Sequence, residues 1–203
     1  FREVFNMATG TPAEPGSVFK AVTMTTLLED GKIELEDKIA TNHGLMSDMP
    51  KISQDDYITS YERNNKTNQI SVVDGFKISS NYVFRRLVKD NYGEEPEEFI
   101  HRLHQYNFGE AYDFDLKESG ISGSTIPDPK DAGWTIYDLV SVAIGYSVKA
   151  TPLQIVTFYN AIANNGKMMK PYIVESIEHE GRVTREFKPQ ILNGSICSKA
   201  TAD

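Results

Sequence analysis

The chain has 203 residues, 39% of them hydrophobic and 25% charged, with a formal net charge of −8. That length suits one globular domain or two small ones, and the acidic balance argues against nucleic acid or an anionic membrane surface as a partner. No apolar run reaches the roughly 18 residues of a membrane span. Cys197 is the only cysteine, which leaves no internal disulfide. The four histidines, His43, His101, His104 and His179, are scattered. His101 and His104 share a helix face, better read as solvated than as a metal site. No metal or organic cofactor is expected. The chain opens at Phe1 rather than Met, so it is expected to be a piece of a larger protein.

In chain order, Pro15-Gly16 breaks the backbone and Ser17 is placed to start a helix. The residues that follow, from Ala21 to Leu28, are apolar or small nearly all round, the pattern of a buried helix. Gly31 is positioned to end it in a left-handed conformation. Ile33, Leu35 and Ile39 alternate as a short extended stretch. Residues 40–69 are polar and broken by Gly44, Pro50 and Asn64-Asn65, and read as a long surface loop with at most a brief strand at Tyr57-Ile58. Ser71 caps a short helix that Gly75 weakens. The next helix carries Val83, Phe84, Leu87 and Val88 on one face and Arg85, Arg86 and Lys89 opposite, stopping at Asn91-Tyr92-Gly93. Pro96 starts another, with Phe99, Ile100, Leu103 and Tyr106 inward. Residues 110–133 form a second long loop. Residues 136–144 make an apolar helix. Thr151-Pro152-Leu153-Gln154 is a capping box with proline at the first helical position, and its helix ends at Asn164-Asn165-Gly166. A hairpin follows over 172–177 and 183–187, turned at Glu180-Gly181, and residues 195–203 begin a last helix. The fold class is thus mainly α with a small β-hairpin.

Two short patterns carry chemistry. Ser17 and Lys20 stand three apart, so a helical turn puts hydroxyl and amine on one face. A serine attacks poorly until a base takes its proton. A lysine whose pKa is lowered by burial and by a helix start can be that base. Alone the pattern is weak, because a serine after Pro-Gly is commonly an N-cap. Ser79-Ser80-Asn81 lies between two helices and has its own bland reading as linker and cap residues. In the functional reading Ser79 passes a proton between Lys20 and a leaving amine. Asn81 holds Lys20 and a substrate amide through its carboxamide. Each pattern, Ser-x-x-Lys and Ser-x-Asn, occurs once in the sequence.

Glu14-Pro15-Gly16-Ser17-Val18-Phe19-Lys20 resembles the first box of the penicillin-binding transpeptidases, and Ser79-Ser80-Asn81 resembles their second. The likeness continues at Phe108-Gly109, at Ile144-Gly145-Tyr146, at Thr151-Pro152-Leu153-Gln154, and from Ala161 to Gly166 and Pro171. Ser147 stands where that family often has glycine, which reads as harmless variation. The Glu-Pro-Gly-Ser form with Phe before Lys looks most like the division-specific class B enzymes of the FtsI type. A third box, Lys-Thr-Gly in related enzymes, is absent: no Lys-Ser/Thr-Gly occurs anywhere in the sequence. The resemblance therefore implies that residues 1–203 are a partial transpeptidase domain. It would comprise the helical part of the α/β penicillin-binding and serine β-lactamase-like fold without most of its central sheet.

The resemblance also implies an activity: D,D-transpeptidation of peptidoglycan stem peptides in septal wall synthesis through an acyl-enzyme on Ser17, with Lys20, Ser79 and Asn81 completing the catalytic set. β-Lactams would acylate the same serine. The parent protein would be held in the inner membrane by one N-terminal span, outside the cytoplasm, beside a membrane polymerase and other division proteins. The chain by itself is expected to be inactive and prone to self-association through uncovered apolar helices. Two alternatives remain open: a D,D-carboxypeptidase or serine β-lactamase, with an acidic base in residues 40–69 or 110–133, and a non-catalytic β-lactam sensor or division scaffold.

Overall fold

Caps and turns set the element boundaries of the computed structural model, which describes residues 6–113, 115 and 120–203. In order, the helices are α1 (Met7–Gly10), α2 (Lys20–Glu29), α3 (Asp56–Asn65), α4 (Val72–Lys77), α5 (Asn81–Tyr92), α6 (Pro96–Gln105), α7 (Ile136–Val142), α8 (Pro152–Ala163) and α9 (Lys199–Ala202). Between them run β1 (Lys38–Ala40), β2 (Gln69–Ser71), β3 (Met168–Met169), β4 (Ser176–His179), β5 (Arg182–Glu186) and β6 (Ile191–Asn193). The described strands pair antiparallel in three two-stranded sheets, β1 with β2, β3 with β6 and β4 with β5. The chain is mainly helical, and no larger central sheet occurs among the described residues. Residues 114 and 116–119 of the loop expected over 110–133 lie outside the described residues.

Two compact units are present. The first comprises residues 1–14, 102–126 and 149–203. Its centre is Phe158 of α8, fully buried against Tyr106 and Phe108 at ring distances of 5.3 and 6.0 Å. The capping box at Thr151 forms as its sequence demands: Gln154 N–H donates to Thr151 Oγ1, and Thr151 N–H donates to Gln154 Oε1. Val156 and Tyr159 on the same helix are exposed. The β4–β5 hairpin turns at Glu180 and Gly181, both with positive φ, and lies almost wholly in solvent. The short β3–β6 pairing had no counterpart in the sequence reading.

The second unit, residues 15–101 and 127–148, holds both sequence patterns. Here α2 packs against α5, and α5 against α7. The core comes from Phe19, Val22 and Leu27, from Val83, Phe84 and Val88, and from Leu139 and Val142, all with 0% exposure. α2 has seven buried residues among its ten, including Thr23, whose hydroxyl donates to Ala143 O at 2.9 Å. It closes in the expected way. Gly31 takes φ +62°, its N–H reaches Leu28 O and the Lys32 N–H reaches Leu27 O. Gly75, which weakens α4 as a helix, is needed for packing, because a Cβ there would lie 2.7 Å from Val83.

Three expectations change. The helix does not start at Ser17: residues Gly16–Phe19 form a 3₁₀ turn, and α2 begins at Lys20. Residues 40–69 are not a loop, because α3 occupies Asp56–Asn65. Its polar sequence hid it, since Ile58 is its only buried residue, and Asp55 supplies the N-cap by accepting from Tyr57 N–H. Ser147 is not a cost-free replacement for glycine. It takes φ +59°, a left-handed conformation that costs a non-glycine residue about 1–2 kcal/mol.

Gly145 is fixed by contact as well as by dihedral angle. Its carbonyl accepts from Gly16 N–H at 2.9 Å, and a Cβ on it, at φ +81°, would stand 2.1 Å from Gly16 O. Gly145→Ala is therefore expected to displace the turn that carries Ser17. Chemical denaturation should show a loss of more than about 2 kcal/mol. An unchanged midpoint would mean that the two turns do not meet this closely.

Candidate active site

Lys20 is the most unusual side chain in the second unit, an amine only 1% exposed. An ammonium has three N–H donors, and three oxygens receive them. Nζ lies 3.2 Å from Ser17 Oγ, 3.0 Å from Ser79 Oγ and 2.5 Å from Ser79 O. The 3₁₀ turn at Gly16–Phe19 brings Ser17 into this arrangement, because residues i and i+3 eclipse in that geometry. Gly16 at φ +59° turns the chain just before it, and Ser17 itself stays exposed. Phe84 closes the apolar side, its ring centroid 5.8 Å from Nζ.

The opposite wall is a helix end joined directly to a helix start. Ser79 N–H donates to Phe76 O and Ser80 N–H to Gly75 O, the paired bonds of a Schellman motif whose left-handed position is Ser79, at φ +54°. Glycine is usual there. A serine in its place bears backbone strain but presents both its hydroxyl and its carbonyl to Lys20. The next residue, Ser80, caps α5 by accepting from Val83 N–H at 3.1 Å. Asn81 is then the first residue of α5.

The structure thus brings Ser17, Lys20 and Ser79 together: the spacing predicts the first pair, and Ser79 joins them as its functional reading expects. It corrects the part given to Asn81: Lys20 bonds to the two serines, and no hydrogen bond joins it to Asn81 among the described residues. Asn81 instead lines a cleft together with Asp55, Arg85 and Tyr146.

Two charged residues escaped the sequence reading. Asp55 is 8% exposed and accepts from Ser80 Oγ at 2.7 Å, Tyr82 N at 2.8 Å and Tyr57 N at 3.0 Å. It pins the start of α5 to the start of α3. Arg85 is half-buried rather than on a solvated face, and its Nε has no hydrogen-bond partner among the described residues. Asp before a polar run is an ordinary N-cap signal and could have suggested Asp55. Arg85 gave no sequence signal, because it falls where the helical pattern calls for a polar residue.

Burial is the main reason the Lys20 pKa falls from 10.5 to about 8; the charge of Asp55 opposes the fall and that of Arg85 adds to it. Burial, one of the two causes expected from the sequence, is the largest of these. About a tenth of the amine is then neutral at pH 7. A neutral amine keeps two donors and gains a lone pair, and Ser17 Oγ stands within proton-transfer reach of it.

Membership follows from comparison with known proteins. Residues 3–203 match the family model described as the penicillin binding protein transpeptidase domain, and the chain belongs to that family. It is 27% identical over 190 residues to penicillin-binding protein PbpB of Mycolicibacterium smegmatis, covering 93% of this chain and 27% of that protein. It is 26% identical to the peptidoglycan D,D-transpeptidase FtsI homolog of Mesostigma viride, covering 81% of this chain and 27% of that protein. The chain thus spans about a quarter of the length of these curated relatives. Among solved structures it superposes on the D,D-transpeptidase domain of a peptidoglycan glycosyltransferase from Eggerthella lenta with a TM-score of 0.79 and 25% identity, over 97% of this chain and 47% of that one. Penicillin-binding protein A of Mycobacterium tuberculosis, solved as a ceftriaxone acyl-enzyme complex, gives 0.79 at 18% identity over 97% and 42% of the respective chains, a likeness of fold.

The Lys20 pKa has a consequence for stability. Between about pH 8 and 10.5 the folded chain binds fewer protons than the unfolded chain. The Lys20 contribution is therefore least favourable below pH 8 and improves as pH rises through that window. Urea unfolding at pH 7.5 and 10 should show the native chain gaining roughly 2 kcal/mol on Lys20→Met over that interval. Equal pH dependence in the two proteins would place the Lys20 pKa at its ordinary value.

Proposed function

We propose that the parent protein is a D,D-transpeptidase of septal peptidoglycan synthesis in which Ser17 is the nucleophile. The observation that carries this reading is the Lys20 amine, buried and held between the hydroxyls of Ser17 and Ser79. Family membership and the names of the relatives support the reaction class.

In the proposed reaction neutral Lys20 takes the Ser17 proton as Oγ attacks the carbonyl of the penultimate D-Ala of a stem peptide. The Ser17 backbone N–H supplies one donor to the oxyanion, and the strand bearing a third box would supply another. As the tetrahedral carbon collapses, the C–N bond breaks. The proton passes from Lys20 through the Ser79 hydroxyl to the departing D-Ala amine, leaving an ester on Ser17. An amine from a second stem peptide attacks that ester and gives up a proton to Lys20. The new amide forms as Ser17 Oγ leaves and recovers the proton. Asn81, facing the adjoining cleft, orients the donor strand. β-Lactams acylate Ser17 by presenting a strained amide in place of D-Ala-D-Ala. No metal or organic cofactor enters this scheme.

A membrane polymerase and other division proteins are the proposed partners, and the parent is placed at the inner membrane with this domain outside the cytoplasm. Among the described residues no helix is long and apolar enough to cross a membrane. The hydrolase alternative needs a free carboxylate beside the ester. Asp55, which the fold brings into the electrostatic reach of Lys20, is committed to three donors.

A fluorescent penicillin added to the parent protein should label Ser17 stoichiometrically. Label should be absent in Ser17→Ala and slower by about 10²–10⁴-fold in Lys20→Met, the usual loss with a general base. The 203-residue chain, which contains no Lys-Ser/Thr-Gly, should label at least about 10²–10³-fold more slowly than the parent. Labelling of the parent at a residue other than Ser17 would overturn the assignment.

A further inference from the structure

The second unit contains a cleft of about 860 Å³, of whose lining the scheme above uses only Asn81. The wall is made by Arg85, Lys51 and the rings of Tyr57, Tyr137 and Tyr146. A space of this size matches a site for a drug-sized molecule or a short peptide segment, and aromatic walls with a few polar groups are the usual lining.

Arg85 is the unexplained residue. Its neighbours on α5 are all paired: Arg86 Nη1 lies 3.0 Å and Lys89 Nζ 2.9 Å from Asp48. Arg85 forms no such pair among the described residues, and its buried Nε has no hydrogen-bond partner there. A buried donor without an acceptor costs about 1–3 kcal/mol, and a guanidinium remains charged throughout the working range. Asp55 and Asp56 also line the cleft; the Asp55 charge offsets part of that of Arg85, but neither carboxylate accepts a hydrogen bond from it among the described residues. The Asp55 oxygens are taken by Ser80, Tyr82 and Tyr57, and Asp56 is exposed in the first turn of α3. Lys51 lies over the Tyr137 ring, 5.5 Å from its centroid. The Tyr146 side chain is close enough to interact electrostatically with Arg85. The wall thus sets a guanidinium with an unfilled Nε donor beside a phenol, with aromatic surface around both.

We propose that this cleft is a carboxylate-binding subsite in which Arg85, assisted by the Tyr146 hydroxyl, holds an acidic residue of the peptide that reacts at Ser17. The proposal rests on the transpeptidase reading for the identity of that peptide. Position follows from the helix. Asn81 and Arg85 are one turn apart on α5, about 6 Å along its axis, and an extended peptide advances about 3.3–3.6 Å per residue. With Asn81 holding the donor strand at the reacting bond, as proposed above, the carboxylate falls about two residues from the bond that Ser17 attacks. A planar guanidinium suits a carboxylate, which it can hold by two parallel bonds, whereas a carboxamide offers only one acceptor oxygen.

Two probe peptides separate the outcomes: acetyl-D-glutamyl-L-lysyl-D-alanyl-D-alanine and its D-glutaminyl counterpart. Titrated calorimetrically into the 203-residue protein, the glutamyl peptide should bind about tenfold or more tightly than the glutaminyl one, the range expected of a charge-assisted bond. Arg85→Gln should abolish that preference while leaving far-UV circular dichroism unchanged, and Arg85→Lys should restore part of it. Tyr146→Phe should weaken the glutamyl peptide by severalfold. Equal binding of the two peptides, no binding of either, or a preference that survives Arg85→Gln would overturn the subsite. Penicillin labelling of Ser17 in the parent protein, read in parallel, tests the reaction separately. A carboxylate preference without labelling removes the transpeptidase reading, whereas labelling without the preference removes only the subsite.

Discussion

A buried amine governs the organisation of this unit. Removing the Lys20 amine from water is unfavourable unless its donors are met, and all three are met by two serines separated by 62 positions in sequence. That requirement ties the turn before α2 to the junction between α4 and α5. It also accounts for two backbone oddities. Ser79 accepts a left-handed conformation that glycine would take more easily, and in it both its carbonyl and its hydroxyl reach Nζ. Gly145 can carry no side chain, because its backbone lies against Gly16, the residue that aims Ser17. Strain at such positions persists where the surroundings over-determine it.

Electrostatic tuning comes from residues outside the Lys20 contact set. Asp55 raises the Lys20 pKa and Arg85 lowers it, so the two partly cancel and burial decides the outcome. Asp55 serves mechanically as well, since its carboxylate accepts from the starts of both α3 and α5. Arg85 has no comparable structural duty among the described residues, and so its cleft reads as a place for a ligand rather than as part of the scaffold. Ser79, Asn81 and Arg85 then lie along little more than one turn of α5 and the residues just before it, facing the nucleophile and base carried by the Gly16–Phe19 turn and the start of α2.

Much of this was legible in the sequence where a local rule acts alone. The Thr151-to-Gln154 capping box, the stop at Gly31, the Ser71 cap and the Glu180-Gly181 turn each depend on a few adjacent residues, and each forms as read. The pairing of Ser17 with Lys20 was legible for the same reason, although the turn proved to be 3₁₀ rather than α-helical. What escaped depends on distant partners. α3 buries a single residue, so it carries almost no apolar period. β1 and β2 are three residues each and are defined by each other. Asp55 and Arg85 look like surface charges until the packing around α5 encloses them, and Asn81 was assigned a bond to Lys20 that its place at the start of α5 does not provide.

The proposed chemistry depends most directly on the proton affinity of one nitrogen. Titration of the Lys20 amine in the folded protein, followed through its side-chain ¹⁵N resonance against those of exposed lysines, measures this without any substrate. A midpoint near 8, well below the exposed lysines, is the result expected of this buried amine. A midpoint at the ordinary value of 10.5 would leave Ser17 without a base at neutral pH and would contradict the proposed chemistry.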